Sequence, residues 1–204
     1  LHFYGGTVTA RGGELASGIG GGQRMSNPHI VIDGGTINAR GGSQGTGIGA
    51  GANAPVWRTI EINGGNVTAV GAGGAGIGAG YNCEPLANPS IYGAIILCGG
   101  VIKASSVNSN DAGTRRGAGI GGGAYERQIG SSYVHSGDTI TGAGIVSLCG
   151  AVVEATGLSG SAECNASAVG TGSISNKQLK IRLNYDSAKP NESMDYMAFN
   201  RDGD

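Results

Sequence analysis

The sequence predicts an all-β chain wound into a right-handed parallel β-helix, a solenoid of about five rungs, each of three short strands with loop insertions. Three observations predict it. A unit of the form Gly-Gly-x-Val/Ile-x-Ala followed by Gly-Ile-Gly recurs along the chain. Within each unit the apolar residues alternate with polar ones, which is the period of a strand with one buried face. Finally, 43 of the 204 residues are glycine, and a glycine in a helix interior costs about 1 kcal/mol relative to alanine, so the chain must use glycine in some non-helical way.

The rungs open at residues 5–10, 34–39, 64–69, 99–104 and, more weakly, 150–155. A second strip follows each opening, at Gly18-Ile19-Gly20, Gly47-Ile48-Gly49, Gly76-Ile77-Gly78, Gly119-Ile120-Gly121 and the degenerate Ala168-Val169-Gly170. A third strip precedes each glycine pair, at residues 1–4, 30–33, 60–63, 95–98 and 145–149, the last with one residue inserted or slipped. Such units cannot bury an apolar face alone. They must stack, each strand pairing with its counterpart about 4.8 Å away in the next rung. The expected core is therefore two adjacent columns of like residues: Val8, Ile37, Val67, Ile102 and Val153, then Ala10, Ala39, Ala69, Ala104 and Ala155. Glycine at the corners supplies backbone conformations closed to other residues. The substitutions Gly100 to Ala151 and Gly-Ile-Gly to Ala168-Val169-Gly170 leave the register of the last rung open.

Residues 1–185 read as a single β-helix domain, taken as a segment of a longer or processed protein because the chain opens within a strand with neither Met nor leader. Solenoid ends normally carry a polar cap. The first rung shows none, so the sequence calls for an adjoining domain or end-to-end self-association there. Residues 179–184 alternate like a strand, as the start of a sixth rung or as a lid, and 186–204 form a polar cap or linker.

With 13 basic against 14 acidic side chains and a net charge of −1, nothing favours binding to a phosphate backbone, so nucleic acid is not expected as a partner. No stretch approaches the roughly 18 apolar residues of a membrane span. Cys83, Cys98, Cys149 and Cys164 fit neither a zinc site nor a thioredoxin motif and are read as two disulfides of an extracellular protein, four buried thiols being the alternative. The equal spacing of 15 residues slightly favours Cys83 with Cys98 and Cys149 with Cys164. The alternative joins Cys98 to Cys149, which share a column, and leaves Cys83 for Cys164.

The units GGTVTARGG with GIGGG and GGTINARGG with GIGAG resemble repeats of secreted, surface-anchored bacterial β-helix proteins described as carbohydrate-binding or adhesin-like. The resemblance covers roughly residues 1–172. It implies an extracellular or cell-surface location and a glycan or host-surface ligand; it carries no catalytic residue, since the same fold also hosts lyases, glycosidases and tailspikes.

The connections after the Gly-Ile-Gly strip lengthen along the chain, at residues 23–29, 52–59, 81–94 and 124–141, and are expected to form a lip along one edge. Trp57, Arg58, Tyr81, Tyr92, Tyr125, Arg127 and Tyr133 stand there as candidate ligand-binding residues, because sugar C–H faces stack on aromatics while hydroxyls take hydrogen bonds at the rim. The plainer alternative is that these aromatics only pack glycine-rich loops onto the solenoid. Arg115 and Arg116, on a second edge after the alanine column, are candidates for anion binding. A glycosidase needs two carboxylates about 5–10 Å apart. The outward columns Tyr4, Asp33, Asn63, Cys98, Cys149 and His2, Val31, Glu61, Ile96, Ser147 do not align acids, so no catalytic residue is assigned, and no metal or cofactor is expected. A third outward face carries Thr7, Thr9, Thr36, Asn38, Asn66 and Thr68, a small regular array that fails at Val101 and Lys103. The sequence thus points first to a non-enzymatic carbohydrate-binding or adhesin module. A filament-forming structural subunit comes second, and a polysaccharide lyase or glycoside hydrolase third.

Overall fold

The computed structural model describes residues 1–83, 93–107, 117–124, 145–157, 166 and 168–170, together with the backbone of the strands Arg127–Ile129, Ser132–Val134, Leu179–Leu183 and Met194–Phe199. The repeat does what its alternation requires. Three five-stranded parallel sheets run the length of the stack, and every rung contributes one strand to each. The first sheet contains His2–Phe3, Ile30–Ile32, Ile60–Ile62, Ile95–Leu97 and Val146–Leu148. The second contains Thr7–Arg11, Thr36–Arg40, Asn66–Ala72, Val101–Val107 and Val152–Thr156. The third consists of the two-residue strands Ile19–Gly20, Ile48–Gly49, Ile77–Gly78, Ile120–Gly121 and Val169–Gly170. The chain is a parallel β-helix of five rungs.

Register follows the columns. Val8, Ile37, Val67, Ile102 and Val153 are successive partners, as are Ala10, Ala39, Ala69, Ala104 and Ala155. Ile37 and Ile102 have no exposed surface and Val67 has 1%; complete burial of such a side chain stabilises by about 1.5–3 kcal/mol. The first sheet adds Ile30, Ile60, Ile95 and Val146 in one inner column and Phe3, Ile32, Ile62, Leu97 and Leu148 in the other. The last rung keeps register despite its altered sequence: Val146 pairs with Ile95, so Ile145 is the extra residue, and Val169 lies against Ile120. The two end rungs are the less covered, with Phe3, Val8 and Ala10 in the first and Leu148, Val153, Ala155 and Val169 in the last only partly buried against the core.

Corners explain the glycine. The second residue of each pair takes a positive φ, 84° at Gly6, 92° at Gly35, 91° at Gly65 and 83° at Gly100; in the fifth rung, where Ala151 fills that position, Gly150 takes it instead at 133°. At Gly49 a positive φ coincides with close approach, because a Cβ there would collide with the Gly78 carbonyl of the next rung. The bend that carries the third-sheet strand is braced by side chains where they are present. Ser17 Oγ donates to the Gly21 carbonyl at 2.8 Å and Thr46 Oγ1 to that of Ala50 at 2.9 Å. Beyond it Arg24, Asn53 and Asn82 all adopt left-handed backbone at φ 59°, 60° and 54°. Asn82 Nδ2 donates to Asn53 Oδ1 at 3.2 Å, a contact between side chains that tolerate this conformation better than most.

Two expectations are corrected. Cys98 bonds to Cys149, with Cα atoms 4.3 Å apart, so the slightly favoured pairing of Cys83 with Cys98 and Cys149 with Cys164 does not form: column neighbours on consecutive rungs already lie at disulfide distance. Cys83 is buried at 1% exposure, and Cys164 lies outside the described residues. Leu179–Leu183 does not begin a sixth rung. It pairs antiparallel with Met194–Phe199, whereas rungs of the solenoid pair only in parallel.

Candidate functional site

The outer face of the first sheet and the segment leading into its third strand carry a set of polar and aromatic side chains. The lead-in is anchored from both sides. Asn27, 2% exposed, donates from Nδ2 to the Arg58 carbonyl at 2.6 Å and to that of Pro28 at 3.0 Å. On the other flank the Gly93 amide donates to the Val56 carbonyl at 2.7 Å. Val56 is fully buried beneath. Between these fastenings Trp57 projects its ring, 57% exposed, and Arg58 its guanidinium, also exposed.

Three residues further on, alternation aims Glu61 and then Asn63 outward. The preceding rung contributes His29 and Asp33, and the first rung His2 and Tyr4. Two of their contacts run diagonally between columns. His29 Nε2 lies 3.0 Å from Glu61 Oε1, and His2 Nε2 lies 2.6 Å from Asp33 Oδ2. Asn63 Nδ2 donates to Asp33 Oδ1 at 2.9 Å. The Asn63 hydrogen bond, and after it the His2 ring, hold the Asp33 carboxyl below the ordinary aspartate range. The rings of His2 and Tyr4 approach to 3.9 Å between centroids, and Tyr4 is 75% exposed. Sequence reasoning missed this cluster because it compared acids only with acids in the same column, and the readable signal was the pairing of each carboxylate with a histidine one column over.

The predicted residues are distributed unevenly. Trp57 and Arg58 stand at the surface as expected. Tyr81 does not: it is 6% exposed, at the position that Ala52 and Ala124 fill in the neighbouring rungs, and its carbonyl accepts from the Asn53 amide at 2.7 Å. Its ring belongs to the body of the solenoid and offers no open stacking face. Arg127 and Tyr133 fall in the antiparallel strands Arg127–Ile129 and Ser132–Val134, described by backbone alone. Tyr92, Tyr125, Arg115 and Arg116 lie outside the described residues. Among the described residues no group of His, Cys, Asp and Glu could hold a metal ion.

Chemically, an exposed indole beside a guanidinium can stack on the apolar face of a ring, while the carboxylates, amide and imidazoles of the sheet offer both acceptors and donors.

Residues 4–23, 30–52 and 60–81 match a family model described as a β-helix repeat, in agreement with the first three rungs. No curated protein and no solved structure matches the chain.

Proposed function

We propose that the chain is a non-enzymatic carbohydrate-binding module of an extracellular or cell-surface protein, binding glycan on the outer face of its first sheet. The observation that carries this reading is Trp57: a large aromatic ring left 57% exposed on a backbone fastened at both sides. A rigid exposed ring loses little conformational freedom on binding. Glu61, Asn63 and Asp33 supply hydrogen-bonding partners for sugar hydroxyls, and the Cys98–Cys149 disulfide fits an oxidising compartment.

The test is a glycan-array screen of the intact chain followed by calorimetry on the best ligand. Trp57→Ala is expected to weaken binding by about tenfold or more, as loss of an aromatic anchor does, with an unchanged melting temperature. Equal binding by Trp57→Ala would remove this face from consideration.

A further inference from the structure

Charge pairing on the described surface is one-sided. The carboxylates of Asp33, Glu61 and Glu154 there meet His2, His29 and Lys103. Arg11, Arg24, Arg40 and Arg58 enter none of them, although arginine is the side chain best shaped to grip a carboxylate in two-point contact. Two of the four are neighbours. Arg11 and Arg40 are Cα partners at the ends of consecutive strands of the second sheet, both exposed, so their backbones lie about 4.8 Å apart.

Like charges directly opposite each other on a sheet destabilise it. Among the described residues no carboxylate pairs with either member. Glu14, in the loop that follows Arg11, makes no ion pair with either, although its carbonyl is held by Ser43 Oγ at 3.1 Å and by the Gln44 amide at 3.2 Å. The next residue in the column is Val70, so the positive ladder is confined to the first two rungs. Alongside it, two residues back on the same outward face, stand Thr9, Asn38 and Thr68 in register and exposed. The surface therefore combines a compact dicationic step with a strip of neutral hydroxyl and amide groups.

We propose that Arg11 and Arg40 form a subsite for the oxyanions of an acidic polysaccharide, their guanidinium groups taking carboxylate or sulfate substituents while Thr9, Asn38 and Thr68 meet the hydroxyls of adjoining sugar units. The neutral strip favours a sugar polymer over a phosphodiester, which would present a charge at every unit. This inference rests on the glycan-binding reading but not on Trp57, which lies on a different face.

The experiment measures binding of the full chain to a polyuronate, a sulfated dextran, neutral dextran and duplex DNA, at low and raised salt. Wild type should bind at least one acidic polysaccharide, more weakly as salt rises, and prefer it to neutral dextran and DNA. The double variant Arg11→Gln/Arg40→Gln should bind that polymer about tenfold or more weakly, and Arg24→Gln, at an exposed arginine elsewhere, should bind as wild type does. The polyuronate and sulfate arms identify which oxyanion is taken. Equal binding by the double variant, preference for DNA, or no acidic polymer bound by wild type would overturn the proposal. Trp57→Ala separates the two readings: if it alone abolishes binding while the arginine variant retains acid preference, the subsite fails and the module stands; if only the arginine variant loses binding, the Trp57 face fails and the subsite stands. Unchanged melting of each variant confirms that both exposed substitutions leave the fold intact.

Discussion

Cys98 and Cys149 lie one above the other on consecutive rungs, joined through their sulfurs and separated by 51 residues of sequence. The bond spans the longest interval between rung openings and ties the last rung to the stack. In the chain-entropy account a closed loop of that size limits the unfolded ensemble by about 4 kcal/mol, and measured disulfides more often contribute about 2–4 kcal/mol.

The double variant Cys98→Ser/Cys149→Ser is accordingly expected to lose about 2–4 kcal/mol of unfolding free energy. Urea titration followed by circular dichroism measures it, and mapping of the native protein under non-reducing conditions should recover a peptide containing Cys98 linked to Cys149.

Glycine positions separate into those that the fold requires and those that it tolerates. Gly49 combines φ 140° with a Cβ position that would strike the Gly78 carbonyl, whereas a Cβ on Gly22 would meet nothing within 4 Å. Gly49→Ala should therefore destabilise by at least about 2 kcal/mol, and Gly22→Ala should change stability by no more than about 0.5 kcal/mol. Thermal melts of the two variants side by side test the contrast.

Most of this architecture was legible in the sequence, for a physical reason: in a parallel solenoid the residue above and below is a homologous position, so a repeat alignment is also a contact map. Ile37 over Val67 and Ala39 over Ala69 could be read directly. The last rung held register through altered corner residues because Val153 and Val169 kept the inward positions. What the alignment hid were interactions that leave the column. His2 with Asp33 and His29 with Glu61 join side chains long enough to reach diagonally, and diagonal neighbours on a sheet lie within such reach. Tyr81 misled for the opposite reason, since its residue type suggested a surface ring, while alanine at its equivalents, Ala52 and Ala124, signalled an interior position. Leu179–Leu183 showed strand alternation, but alternation carries no information on whether a partner runs parallel or antiparallel.

Asp33 titrates in a setting that favours its charged form, held first by the Asn63 amide and then by the His2 ring. A carboxyl whose folded-state pKa is depressed contributes stability that is present above its unfolded value and lost as pH falls through the folded one. Asn63→Ala removes the larger cause, so the Asp33 midpoint should rise toward the ordinary aspartate value and this group's share of the acid-dependent loss should diminish. Carbon NMR titration of the side-chain carboxyl reads the shift directly, and a lowered or unmoved midpoint would contradict the assignment.

Both proposed binding faces depend on in-register stacking, because it places Trp57 beside the first sheet and Arg40 against Arg11. Cysteine cross-linking measures that register most directly. Thr36 and Asn66 are outward Cα partners, about 4.8 Å apart by strand spacing, while Thr36 and Thr68 are diagonal neighbours at about 7–8 Å, beyond usual disulfide geometry. The variant Thr36→Cys/Asn66→Cys should form an internal cross-link under mild oxidation and Thr36→Cys/Thr68→Cys should not; a cross-link in the second variant but not in the first would contradict the stacked register on which the account stands.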